Sequence, residues 1–380
     1  MPLRIAQTGD IHLEQDRYFA DTVQCLEWFV EDAIRADTNL FVVNGDLTTY
    51  KQTIQERNLW VDLLIQMGNH APVILVAGNH GKELDGDLHV LSRAKAAHPM
   101  YLCTDPEMIV IGETAIAVFP YPRKGETAGD EQNLHEDFAK QLGEFNQLFE
   151  QRPGGYKLFF GHFGVAGARV SSGQPLVGRC AEYPLDPLRG LKAQYVGLSH
   201  VHLRQQLAPR VWYSGSLSRC DYSEVEDKGY HLVTLNTPEL CPDLSDLDVE
   251  FRMSPTRRMV ELHAIYEDGE LRLSDNLDLA TLKDSRVKVV VTVPNGPDRQ
   301  LSREQQENLR EKLLAANPAE LKVKIEHHAD LAAEPAPIAA AHSAEEKLRA
   351  YWTMKGAPPA DRQERSLTKL AEVEKAVLSG

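Results

Sequence analysis

Short apolar runs alternate with amphipathic segments along the first 80 residues of the chain. The runs at 40–43 and 72–76 predict buried strands, because each is short and apolar, and Leu3–Thr8 is a further strand candidate. Between them, residues 18–36 and 53–67 carry apolar side chains at helical spacing, which predicts two helices. This alternation of strands and helices is typical of a layered α/β fold, and we predict that fold class for the chain.

The same pattern continues, less regularly, as far as residue 235. We predict a loop at 125–133 and a helix at 134–151. The predicted strands lie at 108–111, 115–120, 157–160, 194–198, 204–207, 211–213 and 230–235. The strand at 230–235 is predicted to be the last of this unit, so the first domain is assigned to residues 1–250.

Two further regions follow this domain. Residues 251–328 predict a small α/β cap domain, with strands at 259–265, 271–273, 287–293 and 321–325 and a helix at 303–315 capped by Ser302. Residues 329–342 are rich in Ala and Pro and predict a flexible linker. Residues 343–380 predict two short amphipathic helices. Such helices bury little alone, so we predict a docking element for another chain; folding back onto its own domain is the alternative.

The composition of the chain bears on its binding partners and its cellular location. The formal net charge of −15 argues against a broad electrostatic surface for nucleic acid, although bound cations or a basic partner can compensate for it. The five cysteines are scattered and form no C-x-x-C pair, which favours reduced thiols and a cytoplasmic location. No apolar run approaches the length of a membrane span, and no signal-peptide pattern opens the chain, so we expect no membrane association.

Polar side chains suited to metal binding come just after the predicted strands. They are Asp10, His12, Asp46, Asn79, His80, His162, His200 and His202. Each motif alone is more typical of a strand end, a turn or a helix cap. Taken together they predict one site, because ligands in α/β folds gather outside the carboxyl ends of the strands. The remaining histidines that we considered lack this context and are interpreted as surface or structural residues.

The number of candidate ligands indicates two ions rather than one. A catalytic zinc ion usually takes about three protein ligands, whereas a pair of ions about 3.5–4 Å apart uses more and shares a bridging carboxylate. Asp46 is the natural bridge, because it is the one carboxylate without a paired histidine. Mixed oxygen and imidazole ligands suit a hydrolytic centre of this type.

The order of these motifs resembles the calcineurin-like metallophosphoesterase superfamily. More narrowly, it is similar to the SbcD-type nuclease subunits of DNA double-strand-break repair complexes. The segments 195–202, 213–219 and 227–230 support the narrower resemblance. The phosphoesterase likeness covers roughly the first 235 residues, while the remainder resembles the family only in its layout of cap, linker and helical pair.

The resemblance implies a role for each candidate residue. One ion would be held by Asp10, His12 and His202. The other would be held by Asn79, His162 and His200, with Asp46 as the bridge. His80 would stay off the ions and contact the scissile phosphate or protonate the leaving oxygen. The implied cofactors are two divalent metal ions, Mn²⁺ above all, and the implied chemistry is in-line attack of water on phosphorus.

Three residues depart from the family pattern. Thr49 stands where many relatives have a histidine or an acid, Gly81 replaces an acidic residue, and Ser199 replaces a glycine. None of these changes removes a candidate ligand. We therefore expect them to bear on the substrate more than on the metal centre.

The sequence as a whole predicts a manganese-dependent DNA nuclease. The resemblance implies a 3′-to-5′ exonuclease on double-stranded ends, with possible endonuclease action on hairpins, in complex with an SbcC-like ATPase bound through residues 343–378. A homodimer through the first helices, with Phe19, Trp28 and Trp60, is a further expectation, and core packing explains these residues equally well. The alternatives are a small-molecule or cyclic-nucleotide phosphodiesterase or phosphatase, and a scaffold with a vestigial site. The complete ligand set argues against the scaffold.

Overall fold

The computed structural model describes residues 2–122, 131–152, 154–171, 182–267, 270–273, 279–294, 301–328, 343–355, 358–359 and 362–370. It confirms the α/β fold class. Within these ranges, no helix is long and apolar enough to cross a membrane.

The first unit comprises residues 1–261, 282–287 and 318–320, and two six-stranded sheets form its framework. In spatial order, the first sheet contains β14 (Leu247–Met253), β13 (Gly229–Leu235), β1 (Leu3–Thr8), β2 (Leu40–Asn44), β3 (Val73–Val76) and β4 (Met100–Cys103). The second contains β11 (Gln205–Ala208), β12 (Val211–Tyr213), β10 (Tyr195–Ser199), β7 (Lys157–His162), β6 (Thr114–Phe119) and β5 (Glu107–Ile111). A short pair, β8 (Gly164–Val165) and β9 (Glu182–Tyr183), lies apart from both sheets.

The two sheets pack face to face, with helices on their outer faces. Side chains such as Val42 and Ile74 from the first sheet meet Val118 and Phe160 from the second in a fully buried cluster. α1 (Phe19–Arg35) and α2 (Ile54–His70) cover the outer face of the first sheet. α3 (Glu131–Glu150) and α4 (Leu185–Arg189) cover the second. Strands buried on both faces read as continuous apolar runs, which is why β2 and β3 are visible in the sequence.

The start of α2 shows how local chemistry sets an element boundary. Thr53 accepts a hydrogen bond from the backbone N–H of Glu56, and the Glu56 carboxylate accepts one from the backbone N–H of Thr53. This reciprocal cap satisfies two donors that the first turn leaves unpaired. The aromatic residues Phe19, Trp28 and Trp60 all pack with the core beneath α1 and α2. Trp60 is fully buried, whereas Phe19 and Trp28 are only partly buried, so the homodimer contact stays a prediction.

Two sequence predictions about elements are wrong, and one strand of the first sheet was not predicted. The strand at 230–235 is not the last of its sheet, because β14 pairs with β13 along its whole length. β14 is a half-exposed edge strand with alternating polar residues, so it lacks the apolar run that reveals a buried strand. β4 was also not predicted, since it is a four-residue edge strand. α3 begins at Glu131, inside the predicted loop, because its polar first turn precedes the apolar periodicity; residues 123–130 lie outside the described residues.

The second unit comprises the described residues of 262–281, 288–317 and 321–380. Its sheet has the order β16 (Glu270–Leu273), β15 (Met259–Glu267), β17 (Arg286–Pro294) and β18 (Glu320–His328). α5 (Arg303–Leu314) starts after the predicted cap at Ser302. α6 (Ala344–Lys355) starts after Ser343, whose Oγ accepts the backbone N–H of Glu346 at 3.1 Å. Residues 362–370 are also helical. The predicted linker at 329–342 and the end of the second apolar stripe lie outside the described residues.

Candidate metal centre

The turns after β1 and β2 hold two carboxylates in an unusual backbone conformation. Asp10, His12 and Asp46 have φ angles of 50°, 49° and 54°, in the left-handed region that non-glycine residues rarely adopt. The two turns are joined, because the N–H of Asp10 donates to the carbonyl of Gly45 at 3.1 Å and the N–H of His12 donates to that of Asp46 at 2.9 Å. Backbone strain of this kind persists only where the surrounding structure determines it, and it concentrates at functional sites.

Asp10, His12 and His202 form the first donor group. One ligand atom from each lies within 4.8 Å of the others. The Nε2 atoms of His12 and His202 face each other at 3.1 Å. The buried Asp10 carboxylate accepts the backbone N–H of His200 at 3.0 Å through both oxygens, which fixes its orientation.

Asp46, His162 and His200 form the second donor group, with the same spacing limit of 4.8 Å. The side-chain oxygen of Asn79 lies between the two histidines, 3.2 Å from Nε2 of His162 and 3.0 Å from Nδ1 of His200. All four residues follow the ends of β2, β3, β7 and β10, which lie side by side in the two packed sheets.

Asp46 stands between the two groups. Its Oδ2 lies 3.3 Å from Nε2 of His162 and 3.7 Å from Nε2 of His12. Its Oδ1 accepts the backbone N–H of His80 at 2.8 Å. The structure therefore places Asp46 where one carboxylate oxygen reaches an imidazole of each group.

His80 lies at the edge of the centre. Its ring centroid is 4.9 Å from that of His12, and its Nδ1 is 3.4 Å from the backbone carbonyl of Thr49. Unlike the buried His162, it is partly exposed. The eight predicted residues thus come together at one place, while the described histidines outside this set belong to no donor group.

The donor set fits divalent cations. His162 Nδ1 lies 2.6 Å from the carbonyl of Asn44, an acceptor, so Nδ1 carries the proton and Nε2 presents a lone pair. That lone pair faces the oxygens of Asp46 and Asn79 at 3.3 and 3.2 Å. Acceptors facing one another in a buried site require a proton or a cation between them. The two opposed Nε2 atoms of His12 and His202 create the same requirement in the first group.

Burial and the charges of neighbouring groups shift the pKa values of several side chains in this centre. Burial lowers the pKa of His12 to about 3, with His202 adding to the effect, and burial with the charge of His162 lowers the pKa of His200 to about 3. Burial opposes a charge on His162, but the Asp46 carboxylate outweighs it and raises the pKa of His162 to about 9. Burial also raises the pKa of Asp10 above its usual range. His162 and Asp10 therefore bind protons more readily than usual, whereas His12 and His200 stay neutral over a wider range of pH.

Two buried carboxylates of this centre were missed by the sequence analysis. Glu83 accepts backbone N–H bonds from Gly78 at 2.7 Å and Leu47 at 2.5 Å, and so joins the turns after β2 and β3. Glu224 accepts a hydrogen bond from Nδ1 of His202 at 2.6 Å. No spacing rule reveals either residue. Glu83 follows the Asn79–His80 motif closely, but an acid at such a place is common at exposed turns, and Glu224 lies 22 residues after His202 among several other acids.

A steric reason explains one of the three departures from the family pattern, that at Gly81. Gly81 has a φ of 62°, and a Cβ atom there would lie 2.4 Å from Oγ1 and 2.9 Å from the carbonyl oxygen of Thr48. A larger residue does not fit without moving that turn. Ser199 Oγ occupies the space where a Cβ on Gly9 would sit, and lies 3.3 Å from Oγ of Ser214. Thr49 contacts residues of the centre through two groups. Its hydroxyl donates to the carbonyl of His12 at 3.3 Å, and its backbone carbonyl lies 3.4 Å from Nδ1 of His80.

The sequence profile described as calcineurin-like phosphoesterase matches residues 3–203. A search of curated proteins found no matching sequence. Among solved structures, the chain is similar to GAP50, the anchor in the inner membrane complex of Plasmodium, at 12% identity and a TM-score of 0.44, covering 84% of this chain and 96% of that one. It is also similar to the purple acid phosphatase PPD1 from yellow lupin seeds, at 14% identity and a TM-score of 0.40, covering 67% of this chain and 52% of that one.

A dimetal phosphatase from Danio rerio is similar at 11% identity and a TM-score of 0.41, with coverage of 66% of this chain and 98% of that one. At such identities and TM-scores these likenesses carry no argument about function. The profile match is different in kind, because it spans more than half of the chain and includes the donor groups after β1, β2, β3, β7 and β10. The chain therefore belongs to the calcineurin-like phosphoesterase family of metal-dependent phosphoester hydrolases.

Proposed function

We propose that this protein is a manganese-dependent phosphodiesterase that cleaves DNA, acting 3′ to 5′ on double-stranded ends and on hairpins. The observation that carries the proposal is the convergence of Asp10, His12, Asp46, Asn79, His162, His200 and His202 on one centre, with His80 at its edge. The resemblance of several motifs to SbcD-type nucleases is the reason that we propose DNA rather than another phosphodiester as the substrate. A cytoplasmic location belongs to the same proposal and is supported by the four described cysteines, which are free thiols.

We assign these residues to two ions in the way that the family resemblance implies. Asp10, His12 and His202 would hold one ion, Asn79, His162 and His200 the other, and Asp46 would contact both. When bound, such ions supply positive charge against the phosphate oxygens and lower the pKa of water. Imidazole and carboxylate donors together suit manganese, which accepts both nitrogen and oxygen.

His80 is the residue we assign to the phosphate. Its backbone N–H donates to Asp46 and its Nδ1 to the carbonyl of Thr49, so the imidazole is oriented at the edge of the centre. His80 also has a donor atom within 4.8 Å of those of His12 and Asp46, and we assign it to the phosphate rather than to an ion because the family resemblance implies that role. An imidazole placed there can donate a hydrogen bond to a phosphate oxygen or a proton to the leaving oxygen. The carbonyl of Thr49 accepts from Nδ1, which leaves Nε2 for the substrate.

Docking of an SbcC-like ATPase through residues 343–378 is the second part of the proposal. The two C-terminal helical segments border a groove of about 670 Å³, with Leu348 and Leu370 among its lining and the basic residues Arg362, Arg365 and Lys369 around them. Tyr351 nearby is half exposed. An apolar groove with basic edges suits an amphipathic helix that carries acidic residues beside its apolar face. A homodimer is kept as a prediction, to be tested by sedimentation.

A specific observation favours a second candidate, a phosphodiesterase for small substrates. A cavity of about 110 Å³ adjoins the first donor group and is lined by His12, Arg17, Tyr18 and His202, among others. The cavity is smaller than a typical small-molecule site, so it would take an anionic group of a compact substrate beside Arg17, with the rest of the substrate outside it. The net charge of −15 also disfavours a large DNA footprint in the absence of a partner.

One assay separates the two candidates. The purified chain is incubated with end-labelled linear duplex and, separately, with a cyclic nucleotide, in Mn²⁺, in Mg²⁺ and in chelator. We expect metal-dependent shortening of the duplex, stronger with Mn²⁺ and stimulated by an SbcC-like ATPase. Hydrolysis of the cyclic nucleotide without any cleavage of DNA, with the ATPase present, would refute the nuclease proposal.

Replacement of His80 tests the assigned chemistry. We expect His80→Ala to reduce cleavage by about 10²–10⁴-fold, the usual worth of a positioned proton donor, while Mn²⁺ binding measured by calorimetry stays unchanged. The matched control is His89→Ala, because His89 is exposed and belongs to no donor group. Cleavage by His80→Ala at the rate of the control would remove the role we assign.

A further inference from the structure

His202 is fixed on both sides by the segment that follows β12. Its backbone carbonyl accepts the N–H of Ser216 at 3.2 Å and the ammonium of Lys228 at 3.1 Å. Gly215, with a φ of 74°, lets this turn approach, since a Cβ there would lie 2.8 Å from the carbonyl oxygen of His202. The side chain is fixed separately, by the 2.6 Å hydrogen bond from Nδ1 to Glu224 Oε1.

Glu224 is itself held rigidly and is buried. Its Oε2 accepts the backbone N–H of Cys220 at 2.8 Å and lies 3.2 Å from the ammonium of Lys228. Its backbone carbonyl accepts Nε–H of Arg219 at 2.9 Å. Lys228 is 1% exposed at its side chain and also reaches Glu226 at 2.7 Å. Every oxygen of Glu224 therefore has a defined partner, and one of them faces the imidazole.

We propose that Glu224 is the positioning residue of the first metal group, holding His202 in the tautomer and orientation that present Nε2 to a divalent cation. The proposal rests on the metal centre of the proposed function. Because Nδ1–H of His202 donates to Glu224, the lone pair of this imidazole lies on Nε2. That atom faces Nε2 of His12, within the donor group formed by Asp10, His12 and His202. A carboxylate that accepts a hydrogen bond from a metal-binding imidazole also makes that imidazole a stronger electron-pair donor to the metal ion.

The two metal groups differ in this respect. His162, in the second group, donates Nδ1–H to a neutral backbone carbonyl, that of Asn44, at 2.6 Å. His200 directs its Nδ1 at the side-chain oxygen of Asn79, so this nitrogen is not hydrogen-bonded to a carboxylate. Among the described residues, His202 is thus the histidine of the centre whose Nδ1 lies on a carboxylate. Loss of Glu224 is expected to weaken the first group selectively.

The neighbourhood of Glu224 is not a third metal site. His202, Cys220 and Glu224 do have donor atoms within 4.8 Å of one another. However, the buried ammonium of Lys228 already provides the positive charge beside Glu224, and Nδ1 of His202 is committed to its hydrogen bond. A second cation at this point would face the ammonium at close range, which burial makes costly.

The test measures metal binding directly, without substrate. Mn²⁺ is titrated calorimetrically into the full chain and into the variants Glu224→Gln and Glu224→Ala. His202→Ala and His200→Ala identify which binding step belongs to which group. We expect Glu224→Ala to weaken the first step by about 10–100-fold and Glu224→Gln, which keeps an acceptor for Nδ1–H, by less. The second step should not change, whereas a general loss of structure would weaken both.

Glu226→Gln is the matched control, because Glu226 contacts the same ammonium but no histidine of the centre. It should bind Mn²⁺ as the unmodified chain does. Equal affinities for both steps in Glu224→Ala and the unmodified chain would overturn the proposal, as would the absence of any Mn²⁺ binding. Selective weakening in a protein that fails to cleave DNA would uphold the role of Glu224 and refute only the nuclease function.

Discussion

Gly81 offers the sharpest test of the geometry around His80. In Gly81→Ala the new Cβ would stand 2.4 Å from Oγ1 and 2.9 Å from the carbonyl oxygen of Thr48, both closer than ordinary contact. The left-handed backbone, with φ of 62°, costs a further amount for any residue with a side chain. The conformational cost is about 1–2 kcal/mol, and overpacking against a backbone atom adds about 1–3 kcal/mol.

Gly112→Ala separates these two contributions. Gly112 has a φ of 57°, but its Cβ would meet nothing within 4 Å. It therefore carries the conformational cost alone, and both variants share the same reduction of freedom in the unfolded chain. The expected destabilisation is about 2–5 kcal/mol for Gly81→Ala and about 1–2 kcal/mol for Gly112→Ala, so the difference of about 1–3 kcal/mol measures the contact with Thr48.

Urea unfolding followed by tryptophan fluorescence provides the measurement, with the shift in midpoint compared at unchanged slope. A functional consequence is also expected. The carbonyl of Thr49 lies 3.4 Å from Nδ1 of His80, so displacement of this turn should lower cleavage in Gly81→Ala and leave it intact in Gly112→Ala. Equal destabilisation of the two variants, within about 0.5 kcal/mol, would refute the steric argument.

Two further predictions concern the buried ionisable side chains of Glu83 and His162. Glu83→Ala leaves three buried backbone N–H groups without their acceptor, at about 1–3 kcal/mol each, so unfolding by urea should show a loss of at least about 3 kcal/mol. The exposed Glu31→Ala should be nearly neutral, and equal effects would contradict the role of Glu83. Because Asp46 raises the pKa of His162 to about 9, a cation must displace a proton from this imidazole below that pH. Mn²⁺ affinity should therefore rise about tenfold per pH unit from pH 6 towards 9 and then level, with proton release measured by calorimetry in buffers of different ionisation enthalpy; an affinity independent of pH would contradict this assignment.

The buried strands and amphipathic helices could be predicted from the sequence because their side-chain periodicity is set locally. The runs that became β2 and β3 are almost wholly apolar, and the segment that became α2 carries apolar residues at helical spacing. The edge strands β4 and β14 could not be predicted in the same way. Their stability comes from hydrogen bonds to a neighbouring strand, here β3 and β13, which leaves little trace in their own residues.

By itself, the sequence identified the candidate ligands and predicted that they gather at one place, because parallel strands bring their carboxyl ends to one edge whatever the loop details. Only the tertiary structure decided how these residues face one another. It placed Asp46 within reach of His12 and His162, and it supplied the buried carboxylates Glu83 and Glu224. The reason is physical: a carboxylate behind a ligand acts through distance and direction across segments far apart in the chain, and neither quantity has a period that a sequence can display.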